Sequence, residues 1–355
     1  MDTPFWAPPA ERYPGLMPDR TDVLVIGGGI AGVSLVHHLA RRRISTVLVE
    51  RRHLAAGASG RNAGFLLAGV ADCYAEAVRI FGRQKTREVW SITGENHDRM
   101  LEAVDGSDVG HRRLGSVTLA SDDDERARLE ESSQLMRDDG FEARWDGERL
   151  FNPRDGEVDP AALVVALAAR AKDGVIREGV EVTAIESSGR EVSVRAGQIE
   201  CRAGVVVLAT NAYTSQLVPQ VKIQPTRAQM LASAPVLRSV CEVPTYSRSG
   251  YRYWRQLRGG EVLIGGWRDT SLSTEIGYDE EPTLQIQDHL DTQLASMTGG
   301  AEVTHRWAGI MGFTDTGLPL VGPVDGMPNV FLCGGFNGHG MGFAFMCAKQ
   351  LVEMI

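Results

Sequence analysis

The sequence predicts an α/β protein in which a parallel sheet and a mainly antiparallel sheet are built from alternating stretches of one chain. Two short, almost wholly apolar runs at 22–26 and 46–50 flank a helical pattern at 29–42. Such runs are typical of a parallel sheet that is covered on both faces. The segments 221–233 and 251–266 have the character of antiparallel strands, the second with a hairpin turn at Arg258, Gly259 and Gly260. We therefore expect the chain to cross between two domains more than once.

Apolar periodicity and capping residues predict the remaining elements. The predicted helices are 73–104, 121–137, 160–171 and a C-terminal helix that runs to 355, and the predicted strands are 180–185, 191–195 and a buried one at 205–209. The helix at 121–137 opens with Ser121 and three aspartates, which indicate an N-cap and an acidic first turn rather than a metal site. The proline-rich residues 1–20 predict an extended N-terminal arm.

Length, composition and charge limit the classes of protein to which the chain can belong. The chain has 355 residues, beyond the roughly 250–300 residues at which a single hydrophobic core stops growing. A hydrophobic content of 43% and a charged content of 23% are ordinary for a globular enzyme. The formal net charge of -9 disfavours binding to nucleic acid, which needs a basic surface.

Cysteine usage and hydropathy bear on the compartment. Five cysteines are widely separated and show neither a paired framework nor the spacing of a zinc site, so we expect no disulfide and no metal. No run approaches the ~18–20 apolar residues of a membrane span. These observations predict a protein of the cytoplasm without a membrane span.

A glycine motif follows the first predicted strand. Gly27, Gly29 and Gly32 satisfy G-x-G-x-x-G, and Glu50 ends the next strand about twenty residues on. In a Rossmann-like unit the first glycine permits a tight turn, the second lets the backbone approach a pyrophosphate, and the third lets helix and strand pack closely. Glu50 would accept hydrogen bonds from a ribose 2′-OH and repel a 2′-phosphate, which argues against NADP. The motif predicts a dinucleotide and leaves NAD and FAD open.

Further motifs resemble one family of flavoenzymes. They are GASGRNAG at 57–64, ATNAY at 209–213, PTRAQM at 225–230, WAGIMG at 307–312, GLPLVG at 317–322 and GGFNGHGMG at 334–342. Together, and in this order, they resemble the D-amino-acid-oxidase-like FAD-dependent oxidoreductases. The match covers almost the whole chain. Within that family, the N-terminal arm and the loop at 57–64 are most similar to gamma-glutamylputrescine oxidase, with glycine and sarcosine oxidases also close.

The resemblance implies an architecture and a cofactor. It implies a Rossmann-like FAD-binding domain from 20–75, 150–215 and 305–355, interleaved with an antiparallel-sheet substrate domain from 76–149 and 216–304. It also implies noncovalent FAD, since no cysteine occurs at 313–317, where sarcosine oxidases attach the flavin. The residues expected to contact FAD are Gly27, Gly29, Ile30, Ala31, Gly32, Glu50, Arg51, Ser59, Arg61, Asn62, Ala63, Gly64, Val182, Ala209, Thr210, Asn211, Trp307, Gly335, Asn337, Gly338, His339, Gly340 and Met341.

The segment 251–255 supplies candidate substrate residues. Strand alternation places Tyr251, Tyr253 and Arg255 on one face, and the resemblance implies that this strand borders the substrate. We expect the three to line the pocket, with Arg255 available for an anionic group. An edge strand whose arginines face solvent explains the same pattern. Met311 stands where glycine and D-amino-acid oxidases carry a carboxylate-binding arginine, so we expect Met311 at the site and an amine or a distally charged substrate.

The function expected from these features is oxidation of the C–N bond of a gamma-glutamylputrescine-like primary or secondary amine. Members of the family transfer a hydride to flavin N5, and the resulting imine hydrolyses. Oxygen or another acceptor then reoxidises the flavin, and the segment 261–264 lacks the lysine by which sarcosine oxidases promote reaction with oxygen. The alternatives are a D-amino-acid, glycine or sarcosine oxidase or dehydrogenase, and a flavin-binding module without turnover.

Overall fold

The first sheet has the predicted parallel core. In a computed structural model that describes residues 3–8, 12–171 and 174–355, its strands lie in the spatial order Leu320–Pro323, Val330–Gly334, Ile199–Leu208, Arg20–Ile26, Thr46–Glu50 and Gly174–Glu178. The five strands from Val330–Gly334 to Gly174–Glu178 pair in parallel. Val192–Ala196 and Ala184–Ser187 extend the sheet in antiparallel fashion beyond Ile199–Leu208.

The second sheet is mainly antiparallel. Its strands follow the order Val303–Phe313, Gln224–Ser233, Val262–Gly266, Arg252–Gln256, Thr245–Ser247, Ser116–Leu119, Arg149–Asn152 and Arg144–Trp145. Thr245–Ser247 and Ser116–Leu119 pair in parallel. Phe65–Leu66 and Gly156–Glu157 form a separate small ribbon. The α/β class with two interleaved sheets is therefore confirmed.

Helices cover these sheets. They are Ile30–Arg41, Tyr74–Phe81, Arg83–Ala103, Asp123–Asp138, Pro160–Arg170, Thr214–Leu217, Leu284–Thr298 and Gly340–Val352, with short 3₁₀ turns at Ala58–Gly60, Asn211–Tyr213 and Arg268–Thr270. The first helix and the C-terminal helix pack against each other and share one hydrophobic core. A second core lies on the opposite face of the first sheet, and a third lies between the second sheet and Leu284–Thr298.

Two predicted elements differ in the structure, and one strand was not predicted. The helix predicted at 73–104 is broken at Gly82, whose φ of 82° ends one helix and starts the next. The strand expected at 180–185 begins later, at Ala184. The strand Gly174–Glu178 was not predicted because its charged residues interrupt the apolar pattern. It is an edge strand, and the carboxylate of Glu178 accepts hydrogen bonds from the arm and from Leu54.

Strand pairing also bears on the proposed domain boundaries. Residues 305–313 were grouped with the FAD-binding domain, yet Val303–Phe313 pairs along Gln224–Ser233 in the second sheet. Residues 150–152 likewise pair with Ser116–Leu119 in that sheet. We therefore propose the same interleaved division with both segments moved to the substrate domain.

The N-terminal arm packs onto the body of the protein, although residues 1, 2 and 9–11 lie outside the described part. Trp6 is buried and its Nε1 donates to the carbonyl of Asn62 at 2.8 Å. Phe5 lies edge-on to His305, which belongs to the second sheet. The arm therefore joins both sheets.

No helix in the described ranges is long and apolar enough to cross a bilayer. The described residues also contain no cluster of three or more His, Cys, Asp or Glu side chains able to hold a metal ion.

The packing of the first and last helices makes stability depend on pH. Nε2 of His38 lies 3.0 Å from the carbonyl oxygen of Phe345. Burial, with a smaller contribution from neighbouring cations, lowers the pKa of His38 to about 4 from an ordinary 6.5. The unfolded chain therefore binds a proton between these pH values that the folded chain does not. We expect the free energy of unfolding to fall as the pH drops through this window, with ~3 kcal/mol at most from His38.

The variant His38→Gln isolates this contribution. Gln can still donate to Phe345 but does not titrate, so its unfolding free energy should fall less between pH 6.5 and 4. Chemical denaturation at both pH values, with FAD in excess, measures the difference. Equal losses in the two proteins would contradict the assignment.

Candidate active site

One cavity of about 460 Å³ runs between the two sheets. At one end its wall is the glycine turn after the first strand, and at the other it is formed by tyrosines of the second sheet. Among the predicted residues, those that line it are Gly27, Gly29, Ile30, Ala31, Glu50, Arg51, Ser59, Arg61, Asn62, Ala63, Val182, Ala209, Thr210, Asn211, Tyr251, Tyr253, Met311, Asn337, Gly338, His339, Gly340 and Met341.

The glycine turn places a helix start at the cavity wall. A Cβ at Gly32 would overlap the carbonyl oxygen of Gly27, so only glycine allows the helix to begin this close to the strand. Oγ of Ser59 accepts from the backbone N–H of Ile30 at 2.9 Å. The remaining N–H groups of the first turn have no partner within the helix. Together with the helix dipole they suit the binding of a diphosphate.

Glu50 has the position that a ribose-binding acid requires. Its Oε2 accepts from Gly28 N–H at 2.8 Å and its Oε1 accepts from Arg52 N–H at 2.8 Å. These bonds fix the carboxylate at the cavity wall, and a carboxylate has lone pairs to spare for further donors.

The loop at 57–64 is held by its own polar residue. Nδ2 of Asn62 donates to the carbonyls of Ala58 and Ser59, and Oδ1 accepts from Gly64 N–H at 2.7 Å. The second sheet also binds the loop, since Nε1 of Trp307 donates to the carbonyl of Arg61 at 2.9 Å. The loop is thus fixed before any ligand arrives.

An ion-pair cluster closes the dinucleotide end of the cavity. Glu280 accepts from Arg52 at 2.8 Å and from the hydroxyl of Tyr213 at 3.0 Å, and it lies 3.1 Å from Arg61. Burial acts to raise the pKa of Glu280, but the hydrogen bond from Arg52 and the two guanidinium charges hold it below its ordinary value. The cluster connects the loop before the helix Leu284–Thr298 to the glycine-rich end of the cavity.

The C-terminal glycine turn provides a second helix start. Nδ1 of His339 lies 3.2 Å from the carbonyl oxygen of Asn337. Because a carbonyl only accepts, Nδ1 is assigned the proton and Nε2 is an acceptor. Nε2 is buried and finds no partner in the described part of the chain. Burial also lowers the pKa of His339, so the ring is neutral at pH 7.

The end of the cavity opposite the first glycine turn is aromatic. Tyr246, Tyr251 and Tyr253 line it together with Met311 and Arg268. Burial raises the pKa of Tyr253 to about 12, against the opposing charge of Arg268, so the phenol stays protonated at neutral pH. Burial raises the pKa of Tyr246 further. This end of the cavity therefore presents neutral rings and one arginine.

The prediction for Arg255 was wrong. Its side chain is 2% exposed and lies outside the cavity wall. Nη1 donates to the carbonyl of Gly64 at 3.1 Å and Nη2 donates to that of Val158 at 3.0 Å, while the guanidinium covers Trp6. Strand alternation placed Arg255 correctly on the same face as Tyr253. The loop at 57–64 and the N-terminal arm occupy the space around its guanidinium, so it does not reach the cavity.

Four predicted cofactor residues act behind the wall rather than on it. They are Gly32, Gly64, Trp307 and Gly335, none of which lines the cavity. Gly32 and Gly64 allow close backbone contacts, and Trp307 holds the loop at 57–64. Glu280, Tyr246 and Arg268 were not predicted, because they stand in irregular or short segments without a motif. For Arg268 the sequence offers one signal, which is an arginine directly after the Gly-Gly-Trp end of a strand.

The comparisons with known proteins agree with this geometry. A protein-family model described as FAD dependent oxidoreductase (DAO) matches residues 22–354. The chain belongs to this family. It is 26% identical to the probable oxidoreductase OrdL of Rhizobium meliloti (strain 1021), over 94% of this chain and 83% of that protein. It is also 26% identical to the gamma-glutamylputrescine oxidoreductase of Escherichia coli (strain K12), over the same shares.

Among solved structures, the glycine oxidase of Geobacillus kaustophilus superposes with a TM-score of 0.78 at 21% identity. The match covers 95% of this chain and 94% of that one, and it supports the fold. The family is confirmed, and its cofactor is FAD. The protein is an FAD-dependent oxidoreductase of a family that acts on C–N donors such as amines and amino acids.

The described residues fit FAD at both ends of the cavity. The helix start at Ile30 and the carboxylate of Glu50 suit the diphosphate and a ribose. The second helix start, at Gly340, offers N–H groups and a dipole to the ring end of the molecule. Nε2 of His339 is a buried acceptor that still lacks a donor.

Gly29→Ala tests the diphosphate site. A Cβ at this position would lie 2.9 Å from Oγ of Ser59, in the space beside the helix start. We expect the FAD dissociation constant to rise about tenfold or more. Titration of the apoprotein, followed by flavin fluorescence, measures it. Gly94→Ala is the control, because a Cβ there meets nothing within 4 Å; an equal constant in both variants would argue against this site.

Glu280→Gln tests the ion-pair cluster. The change leaves Arg52 and Arg61 half-buried without their counter-charge, so we expect a loss of about 1–3 kcal/mol in the free energy of unfolding. The adjacent Glu281 is exposed, and Glu281→Gln should change stability by no more than about 0.5 kcal/mol. Urea denaturation compares the two. A matching loss in both would show that the cluster does not stabilise the fold.

Proposed function

We propose that this protein oxidises the C–N bond of a primary or secondary amine that resembles gamma-glutamylputrescine. The main support is the continuity of the cavity: the dinucleotide residues and the aromatic substrate end line one continuous space. Tyr253, Met311 and His339 line the cavity away from the first glycine turn and would lie near the ring end of a bound dinucleotide. The gamma-glutamylputrescine oxidoreductase among the relatives supports the finer substrate assignment.

FAD, when bound, accepts a hydride from the carbon next to the substrate nitrogen, which leaves an imine that water hydrolyses. The protein's part is to position the amine and to keep water out. Tyr246, Tyr251 and Tyr253 surround the substrate with rings. Nε2 of His339, neutral and unpaired, can accept an N–H of a neutral amine. Holding the donor carbon in line with the acceptor supplies much of the rate enhancement without a dedicated base.

Met311 supports an amine in preference to an α-amino acid. It lies at the cavity wall next to Gly338, where a Cβ would come within 3.2 Å of its Sδ. A thioether carries no charge and makes only weak hydrogen bonds. A carboxylate beside it would therefore lack the charge-assisted bonds that an arginine provides.

A reducing compartment such as the cytoplasm suits this protein. Its five cysteines are all unpaired, and three of them are buried. The electron acceptor that completes the cycle is oxygen or another oxidant.

Anaerobic mixing with candidate donors tests the function. We expect gamma-glutamylputrescine and related amines to bleach the flavin absorbance near 450 nm faster than glycine or D-alanine, at about tenfold or greater selectivity. Glycolate and glycerol serve as controls that lack nitrogen. Admitting air afterwards shows whether oxygen restores the colour. Faster bleaching by glycine or D-alanine would overturn the amine assignment, and bleaching by the alcohols alone would overturn C–N oxidation.

A further inference from the structure

The arginines on the cavity wall differ in what they bind. They are Arg51, Arg52, Arg61 and Arg268. Arg52 and Arg61 share Glu280, and Arg51 lies over the ring of Tyr213, so these three belong to the dinucleotide end. Arg268 stands apart, at the aromatic end. Among the described residues no carboxylate forms an ion pair with it.

The guanidinium of Arg268 is held by aromatic rings. Its Cζ lies 4.4 Å from the centroid of Tyr251 and 4.9 Å from that of Phe313. Ring contacts of this kind hold a guanidinium without using its N–H groups. The planar set of donors therefore stays available, in a fixed orientation, for an acceptor inside the cavity.

The residue before Arg268 sets the direction in which the Arg268 side chain leaves the backbone. Trp267 has a left-handed conformation with a φ of 62°, and its N–H donates to the carbonyl of Tyr251 at 2.8 Å. Its indole is buried in the core behind the second sheet, where Arg252 covers it. The turn therefore sends Trp267 into the core and Arg268 to the cavity wall.

The adjacent carboxylate, Asp269, accepts a hydrogen bond from Arg248 at 3.2 Å and forms no ion pair with Arg268. Its positive charge reaches Tyr253 and His339, both of which line the same cavity. Both side chains are neutral at pH 7. A single cation among uncharged aromatic residues suits a ligand with one negative charge. The two parallel N–H donors of a guanidinium match the two oxygens of a carboxylate.

We propose that Arg268 binds a carboxylate on the substrate, so that the amine oxidised here carries an acidic group away from its reacting nitrogen. The inference rests on the proposed function and narrows its substrate class. Phe313, against which Arg268 packs, is two residues from Met311 along one strand, a step of about 7 Å. The acidic group is thus bound at a distance from Met311 and the C-terminal glycine turn, with a carbon chain between it and the nitrogen.

Ligand binding to the FAD-loaded protein tests Arg268 without turnover. Isothermal titration with butanoate and with butanamide compares a carboxylate with a neutral group of the same shape. We expect the wild type to prefer butanoate by roughly 10- to 100-fold, which is the worth of a charge-assisted pair. Arg268→Gln should reduce the preference to about one, and Arg268→Lys should retain part of it.

Arg258→Gln is the matched control, because Arg258 is an exposed residue of the hairpin turn. It should keep the wild-type preference. Flavin content and the thermal midpoint of each variant verify folding. A wild type that binds both ligands equally, or an Arg268→Gln variant that still prefers butanoate, would overturn the proposal.

Kinetics separate this proposal from the proposed function. For 4-aminobutanoate and butylamine, the ratio of kcat/KM values should favour the acid in the wild type and fall about 10- to 100-fold in Arg268→Gln. If amines fail to reduce the flavin but butanoate binding still depends on Arg268, the function is wrong and the anion site stands. The opposite outcome is that amines reduce the flavin, while Arg268→Gln changes neither the binding preference for butanoate nor the ratio of kcat/KM values. In that case the anion site is wrong and the function stands.

Discussion

The close contact between Gly32 and the carbonyl of Gly27 is the constraint on which the rest of the site depends. It lets the first helix start directly at the end of the first strand, with its unpaired N–H groups at the cavity wall. Any side chain at position 32 would push the helix away from the sheet. The C-terminal helix packs on the first helix, so a shift of one would move the other glycine turn as well. Both ends of the cofactor site therefore depend on the position of the first helix.

The loop at 57–64 is where the two sheets meet. The arm binds it through Trp6, and the second sheet binds it through Trp307 and Arg255. Arg61, within the loop, reaches the carbonyl of Ala308 at 2.8 Å and the carboxylate of Glu280. The loop is rich in small residues and has little apolar surface of its own. Contacts from outside therefore fix its shape, which explains why an arginine expected at the substrate is used for structure.

The sequence predicts the dinucleotide end better than the substrate end. A strand, a glycine turn and a helix form one local unit, so the spacing of Gly27, Gly29 and Glu50 already fixes their relative positions. The substrate end is assembled from segments far apart in the chain. Alternation identified Tyr253, but whether Arg255 faces a cavity or a loop depends on residues almost two hundred positions away. Arg268 follows a buried tryptophan in a left-handed turn, and nothing in the local pattern predicts that conformation for a non-glycine residue.

Amide hydrogen exchange tests the central claim, that the two glycine turns bind opposite ends of one FAD molecule. FAD should slow exchange both at 27–33 and at 338–343, whereas ADP, which lacks the flavin, should slow it at 27–33 alone. Protection of both segments by ADP, or of only one by FAD, would contradict the claim.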